Sequence, residues 1–323
     1  MKKIIGLLLI LALAAALLCG CGNDEGKPAE NGNGGTAAAS VPARRETPAE
    51  KFDYRAYDDR VEIKGYLGEE PDVVIPAKIE GKPVQYVTIE ENEIIRSVVF
   101  PEGIDNVWSM KNCSNLEKAT LPSTVKKIWK SAFRGTALKE INLPEGLEEI
   151  DSYAFRDTQL TRIVFPQSLK IIGEYAFSGT GITELEIPSG VSFNYEAFKE
   201  CDALKKITFH NTDDNMNPLQ IPSLEEAIVA EGCTKLRGQM FRDCKNLTSV
   251  SLPSTLTFIG GNMFINCENL KDLTIPESVT QIEYGAFNHT TILHVKSGSY
   301  AETRLRDGLP NYPQDPYSNY VVD

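Results

Sequence analysis

One pattern returns along the chain at nearly fixed intervals and leaves little freedom for any fold but a stack. The segments LEKATLPSTVKKIWKSAFRGT (116–136), LKEINLPEGLEEIDSYAFRDT (138–158), LTRIVFPQSLKIIGEYAFSGT (160–180), LTSVSLPSTLTFIGGNMFINC (247–267) and LKDLTIPESVTQIEYGAFNHT (270–290) align without gaps. Their shared pattern is L-x-x-I-x-L-P-x-x-V-x-x-I-x-x-x-A-F-x-x-T/C. Leu116, Leu138, Leu160, Ile182 and Leu204 fall 22 residues apart, and Leu224, Leu247 and Leu270 fall 23 apart. Self-similarity at such a period marks a solenoid, because no single unit buries its own apolar face and only the stack is stable.

Each part of the unit has a physical reading. The apolar residues of I-x-L alternate, as in a strand with one buried face. Proline then ends the ladder by withholding a donor, at Pro101, Pro122, Pro144, Pro166, Pro188, Pro253 and Pro276. V-x-x-I begins a return arm. Phe133, Phe155, Phe177, Phe198, Phe241, Phe264 and Phe287 are expected to stack as an inner spine, each burial contributing about 1.5–3 kcal/mol. The last position alternates between Thr (136, 158, 180, 290) and Cys (113, 201, 244, 267). After Thr the next unit starts two residues later, after Cys three, so one inward column is served by two loop lengths. Cys233 aligns with the Val of V-x-x-I and reads as core.

These repeats resemble the BspA-like leucine-rich repeats of bacterial surface proteins. The resemblance covers residues 95–295, and it is specific because L-P, V-x-x-I and A-F recur in order. VVIPAKIEGKPV (73–84) resembles the family's opening repeat and SGSYAETRLRDGLP (297–310) its closing helix. The resemblance implies a mainly β, right-handed leucine-rich-repeat solenoid at a cell surface, and little about biochemistry. The expected organisation is a cap over 51–94, the solenoid over 95–295, and a capping helix with tail over 296–323. Ser299 and Glu302 form a capping box opening the helix, Gly308 and Pro310 end it, and Tyr300, Ala301 and Leu305 are expected to face the last repeat.

The start of the chain carries an address. Lys2 and Lys3 precede fifteen mostly apolar residues, Ile4 to Leu18, too few to span a bilayer, which needs roughly 20. A basic start, an apolar middle and a small-residue end form a signal peptide over 1–20. Leu18-Cys19-Gly20-Cys21 resembles a bacterial lipobox, which implies cleavage before Cys21 and lipidation of that residue. An exported protein, lipid-anchored to the membrane and facing the extracellular side, follows from that resemblance. Residues 21–50 are rich in Gly, Asn, Ala, Pro and Glu and read as a flexible linker.

Charge narrows the partners. The chain carries −12, and removing 1–20, with two lysines and no acid, brings it to −14. Without a basic stripe this balance excludes nucleic acid as an expected partner. It also excludes an electrostatic grip on anionic lipid, so membrane contact is expected through the lipid alone.

The strand face offers the candidate binding surface. Its outward positions include Lys118, Glu140, Arg162, Glu184, Lys206 and Glu226, alternating in sign turn by turn. Rungs about 4.8 Å apart place each charge beside opposite ones. Two readings stand: a face satisfied by itself, or a mixed-charge surface for a protein ligand. The second outward column, from Val99 through Asn142 and Val164 to Thr274, holds no aromatic residue, which weakens a glycan-binding reading of that face. Tyr153, Tyr175 and Tyr195 form a strip at the edge instead.

The unit starting at Leu204 departs most, continuing as HNTDDNMNPLQIP (210–222). Its Asp213 and Asp214 join the candidate surface as a solvated or partner-contacting loop, since the oxygen-rich spacing fits no calcium loop. His210, His289 and His294 lie at no metal-site spacing, and no nucleophile or phosphate motif occurs. The sequence reading is therefore a non-catalytic, monomeric protein without metal or cofactor that presents its surface to a protein ligand, with a glycan as the alternative.

Overall fold

The computed structural model describes residues 45–194, 196–210, 218–219, 221–308, 317 and 319–323. The signal peptide, Cys21, the linker up to residue 44, Tyr195, Asp213 and Asp214 lie outside the described residues.

A short 3-10 turn at Ala49–Lys51 leads into the cap strands β1 (Phe52–Ala56), β2 (Val61–Tyr66), β3 (Asp72–Val74), β4 (Lys78–Ile79) and β5 (Lys82–Val87). The turns that follow supply a face strand and a return strand each: β6 (Ser97–Val99) with β7 (Asn106–Val107), β8 (Lys118–Thr120) with β9 (Lys127–Ile128), and β10 (Glu140–Asn142) with β11 (Glu149–Ile150). The next turn yields only the return strand β12 (Ile171–Ile172). Then come β13 (Glu184–Ile187), β14 (Ser192–Phe193), β15 (Lys206–Phe209), β16 (Glu226–Val229), β17 (Lys235–Leu236), β18 (Ser249–Ser251), β19 (Phe258–Ile259), β20 (Asp272–Thr274), β21 (Gln281–Ile282) and β22 (Ile292–Val295). Helix α1 (Tyr300–Asp307) and β23 (Tyr320–Val322) close the chain.

This is a mainly β solenoid of the leucine-rich-repeat type, and the repeat register holds residue for residue. Lys118 pairs with Glu140 across β8 and β10, and Ile128 with Ile150 and Ile172 across β9, β11 and β12, all parallel. The Phe spine is continuous where A-F recurs: Phe133, Phe155, Phe177 and Phe198 stack with centroids 5.5, 5.2 and 5.8 Å apart. Phe241, Phe264 and Phe287 continue it at 5.5 and 6.2 Å. Met110 takes the aromatic's place in the first turn, its N–H bonded to the Ala132 carbonyl as that of Phe133 is to Ala154. In the irregular turn Leu219 does the same, its N–H donating to the Met240 carbonyl.

The A-F turn forms a third hydrogen-bonded side of each coil. Tyr153, Phe155 and Asp157 each donate a backbone N–H to the following turn, at Glu174, Ala176 and Ser178. Aiming three N–H groups along one axis requires alternating backbone handedness, so φ is positive at Tyr153 and Asp157, as at Ser131 and Gly135 one turn earlier. At Gly173 an added Cβ would lie 2.4 Å from the Ser152 nitrogen, so no side chain fits where these turns approach closest.

Three features differ from the sequence expectation. The face sheet is not one sheet: β3, β6, β8 and β10 form one block, β13, β15, β16 and β18 a second, and β20, β22 and β23 a third. No strand forms over 160–166. The start of each face strand donates to its predecessor, as Lys139 N–H does to Glu117 and Lys205 N–H to Thr183, and Thr183 N–H still reaches the Thr161 carbonyl in this segment. At β10 the Asn142 amide side chain bonds both Leu121 backbone groups, at 3.2 Å each, and β10 pairs only with β8. At the C-terminal end, the Ser299 hydroxyl accepts the Glu302 N–H as the capping box requires. Tyr300, however, is exposed, and Arg304 is buried with Ala301 and Leu305, donating to the Ile282 carbonyl at 3.4 Å. Tyr300 is the first helical residue, so its side chain leaves the face that Ala301, Arg304 and Leu305 share. Finally, ordered contacts begin ahead of residue 51: Thr47 exchanges hydrogen bonds with Val74 in β3, and Glu46 accepts from Ala77.

Candidate functional site

The outward charges of the face sheet are partly satisfied by one another. Lys118 bonds Glu140 at 2.9 Å, and Lys206 bonds Glu226 at 3.0 Å. The flanking column repeats the device with Lys139–Glu117 at 3.1 Å and Lys205–Glu225 at 2.8 Å. The hydrogen bond from Lys118 holds the Glu140 carboxyl below the usual carboxylate range. Arg162 and Glu184, the two rungs between these pairs, form no ion pair among the described residues. Arg162 sits where the sheet is interrupted, whereas Glu184 lies opposite Lys206 in the ladder and Lys206 pairs with Glu226 instead.

That interruption also uncovers apolar surface. Val164 is 83% exposed, the largest such value among the large hydrophobic residues described. Beside it Ile141, Leu143 and Ile163, inward positions that are buried in regular turns, are only half-buried. Together with Arg162, Lys118 and Lys139 they line a groove between β10 and the 160–166 segment. A second groove opens between β18 and β20, over half-buried Val250 and Leu252. Its walls are polar, with His294 in β22 lying 3.3 Å from Asp272 and 3.8 Å from Asp323. His210 reaches Glu186 at 2.5 Å on the same face. Among the described residues no group of His, Cys, Asp and Glu side chains is arranged to hold a metal ion.

The sequence reading missed an aromatic stack on the return side. Trp108 and Trp129 each follow the inward residue of the return strand, Val107 and Ile128, and so occupy one position in successive turns. Trp108 stacks on Trp129 with centroids 4.4 Å apart, and Tyr86 of the cap leans on Trp108 at 5.0 Å with the ring planes tilted by 46°. Cations close both ends. Arg60 lies 5.6 Å from the Tyr86 ring, and Lys127 lies 4.3 Å from the Trp129 ring while bonding Glu149 and Asp151.

The buried thiols complete the inventory. Cys113, Cys201, Cys233, Cys244 and Cys267 are all buried and reduced. Thr136, Thr158 and Thr180 bond the Phe carbonyl three residues earlier in their own turn. Cys113, Cys201 and Cys267 instead donate to the previous turn, at the carbonyls of Ile89, Phe177 and Phe241. One column thus makes two bonding patterns, matching its two loop lengths.

The BspA type leucine-rich repeat region, in six copies, matches residues 104–220 and 219–294. A leucine-rich repeat protein of T. pallidum of known structure is similar at 30% identity over 70% of this chain and 91% of its own, with a TM-score of 0.42. A leucine-rich cell surface protein of Faecalibacterium prausnitzii A2-165 is similar at 21% identity over 87% of this chain and 94% of its own, with a TM-score of 0.38. A leucine-rich repeat protein of Bacteroides ovatus ATCC 8483 is similar at 18% identity over 86% of this chain and all of its own, with a TM-score of 0.39. No curated protein sequence matches the chain.

Proposed function

The chain belongs to the BspA-type leucine-rich-repeat family, and from that premise we propose that it is a non-catalytic binding protein displayed on a bacterial cell surface. It is held there by lipid on Cys21, and its ligand is a protein that docks on the strand face at the 160–166 interruption. The observation that carries this reading is the juxtaposition, on one exposed spot, of Val164, half-buried Ile141, Leu143 and Ile163, and Arg162, which has no ion pair among the described residues. An apolar patch rimmed by charge is the composition by which protein surfaces recognise other proteins.

The anchor and the surface are tested separately. Cys21→Ser should shift the protein from the membrane fraction to uncleaved precursor or medium; unchanged, detergent-only release would remove the anchor from the reading. For the surface, intact cells are cross-linked and the bound proteins compared between wild type and Val164→Asp/Arg162→Glu. A partner lost with this pair but kept with Lys130→Gln/Arg134→Gln supports docking at the interruption. Loss with both, or with neither, rejects it.

A further inference from the structure

Two unfavourable backbone positions in the solenoid are filled by tyrosine. The residue two before each column Phe has a left-handed backbone, and across the turns this column holds Ser131, Tyr153, Tyr175, Glu196, Gln239, Asn262 and Gly285, with φ between 54° and 66°. That conformation costs a side-chain-bearing residue about 1–2 kcal/mol, and Asn or Gly tolerate it best. Tyrosine does nothing for the core here, since both rings are only half-buried. They lie instead against each other, centroids 5.3 Å apart and planes 12° apart.

Cations gather around this pair. Lys130, Arg134 and Arg156 each lie 5.8 Å from the centre of the Tyr153 ring. Arg156 and Lys199 lie 5.6 and 5.4 Å from that of Tyr175. The position after the column Phe is basic in four turns, at Arg134, Arg156, Lys199 and Arg242, and is Ser178, Ile265 and Asn288 in the others. Arg156 is paired with Asp157 and Lys199 with Glu196. Lys130 and Arg134 form no ion pair among the described residues, in a chain with 45 acidic and 33 basic side chains. Two of these four cations, Lys130 and Arg134, are thus left without a carboxylate partner among the described residues beside a strained tyrosine, an arrangement that suits an external anion.

We propose that this turn edge, from Lys130 to Lys199, binds an anionic polysaccharide, whose sulfate or uronate groups are held by Lys130, Arg134 and Arg156 over the Tyr153–Tyr175 pair. The form of the strip selects the ligand. Lys130 and Arg134, Arg156 and Lys199 come from three of the four turns along this edge, with turns about 4.8 Å apart, which suits a chain carrying charges along its length rather than a single ion. Single-stranded nucleic acid relies on open ring faces for base stacking. Here each ring gives one face to its neighbour, with cations gathered around the pair. Recognition is therefore by charge and hydroxyl hydrogen bonds. The site is separate from the strand-face docking spot and does not depend on it.

Immobilised heparin is the probe, with the purified full-length protein. Wild type should be retained at low salt despite its net charge of −12 and elute as salt rises. Lys130→Gln/Arg134→Gln should weaken binding by about tenfold or more, the loss of two charge-assisted contacts, with an unchanged urea midpoint. Lys118→Gln/Lys206→Gln, an equal change of net charge on the strand face, should elute with wild type. Soluble dextran sulfate should displace the protein, and neither dextran nor single-stranded DNA should. Passage of wild type through the column, equal loss in both double variants, or competition by DNA as strong as that by dextran sulfate would overturn the proposal.

Discussion

Trp108 and Trp129 stack with ring centroids 4.4 Å apart and planes 13° apart, and Tyr86 extends the stack into the cap. These are the only two tryptophans in the chain, so the contact has its own spectroscopic signature. Coupled indoles at this distance should give a paired near-ultraviolet circular dichroism band. Trp108→Phe and Trp129→Phe should each abolish it while leaving the far-ultraviolet spectrum intact. Trp129→Ala should also destabilise the protein by about 2–3 kcal/mol, for a half-buried ring that loses one stacking partner and the Lys127 cation. A band that survives either phenylalanine variant would mean that the two rings do not stack in solution.

Adjacent side chains of similar size should behave differently at Phe155 and Tyr153. Phe155 is fully buried between Phe133 and Phe177. Phe155→Ala should therefore cost about 3–5 kcal/mol, the usual loss for an aromatic removed from a packed core. Tyr153→Ala gives up a half-buried stack at a left-handed position and should cost under about 1 kcal/mol. Equal shifts in a urea titration would mean that the inward register is wrong.

Most of this fold is legible in the sequence because period and inward columns are the same physical fact. A residue that must meet its copy one coil away recurs at one position, so Phe155 and Cys201 are placed correctly without coordinates. What the period cannot carry is the continuity of the ladder. Ile163 and Phe165 match the strand pattern, yet the segment forms no strand, and at β10 the Asn142 side chain rather than its backbone bonds Leu121 of the preceding turn. The return-side stack had a signal, Trp108 and Trp129 each following the last apolar residue of V-x-x-I or its shortened form, but Tyr86 joins from a cap strand outside the repeat. The cations around Tyr153 also sit at repeat-fixed positions, Arg134 and Arg156 after the column aromatic. Their meaning depends on which carboxylates lie within reach, and that is a matter of side-chain placement.

The Lys118–Glu140 rung carries a pH dependence. The Lys118 hydrogen bond, and then its charge, hold the Glu140 carboxyl below its usual range in the folded protein. A carboxyl whose pKa is depressed by folding stabilises the native state above its unfolded value, and that contribution disappears as pH falls through the folded value. Carbon-detected titration should show the Glu140 midpoint below that of an ordinary glutamate, and Lys118→Ala should return it. A midpoint indifferent to Lys118 would show that this rung is not formed in solution.

The five thiols test the solenoid from the inside. Burial pushes the Cys113 thiol up to about 11 and those of Cys244 and Cys267 up to about 12, and raises that of Cys201. The thiolate is the reactive form, so native protein should resist thiol reagents at neutral pH for both reasons, inaccessibility and protonation. The sign with alkalinity follows. Folding raises these pKa values, so the neutral thiols stabilise the native state below the unfolded value, near 9. As pH rises from there towards 11–12, the unfolded chain ionises first and that stabilisation is lost. Stability should therefore decline above pH 9, and replacing Cys244 and Cys267 with Ala should flatten the decline. Titration in denaturant should count Cys113, Cys201, Cys233, Cys244 and Cys267 together, with Cys19 and Cys21 both excluded by substitution. Adjacent-turn cysteines in an exported protein could in principle oxidise, but Cys267 donates to the Phe241 carbonyl and the Cys244 thiol is held by the backbone of Ile221. A count lower by two would establish a bridge between them, and rapid labelling of the native protein would show that the column faces out.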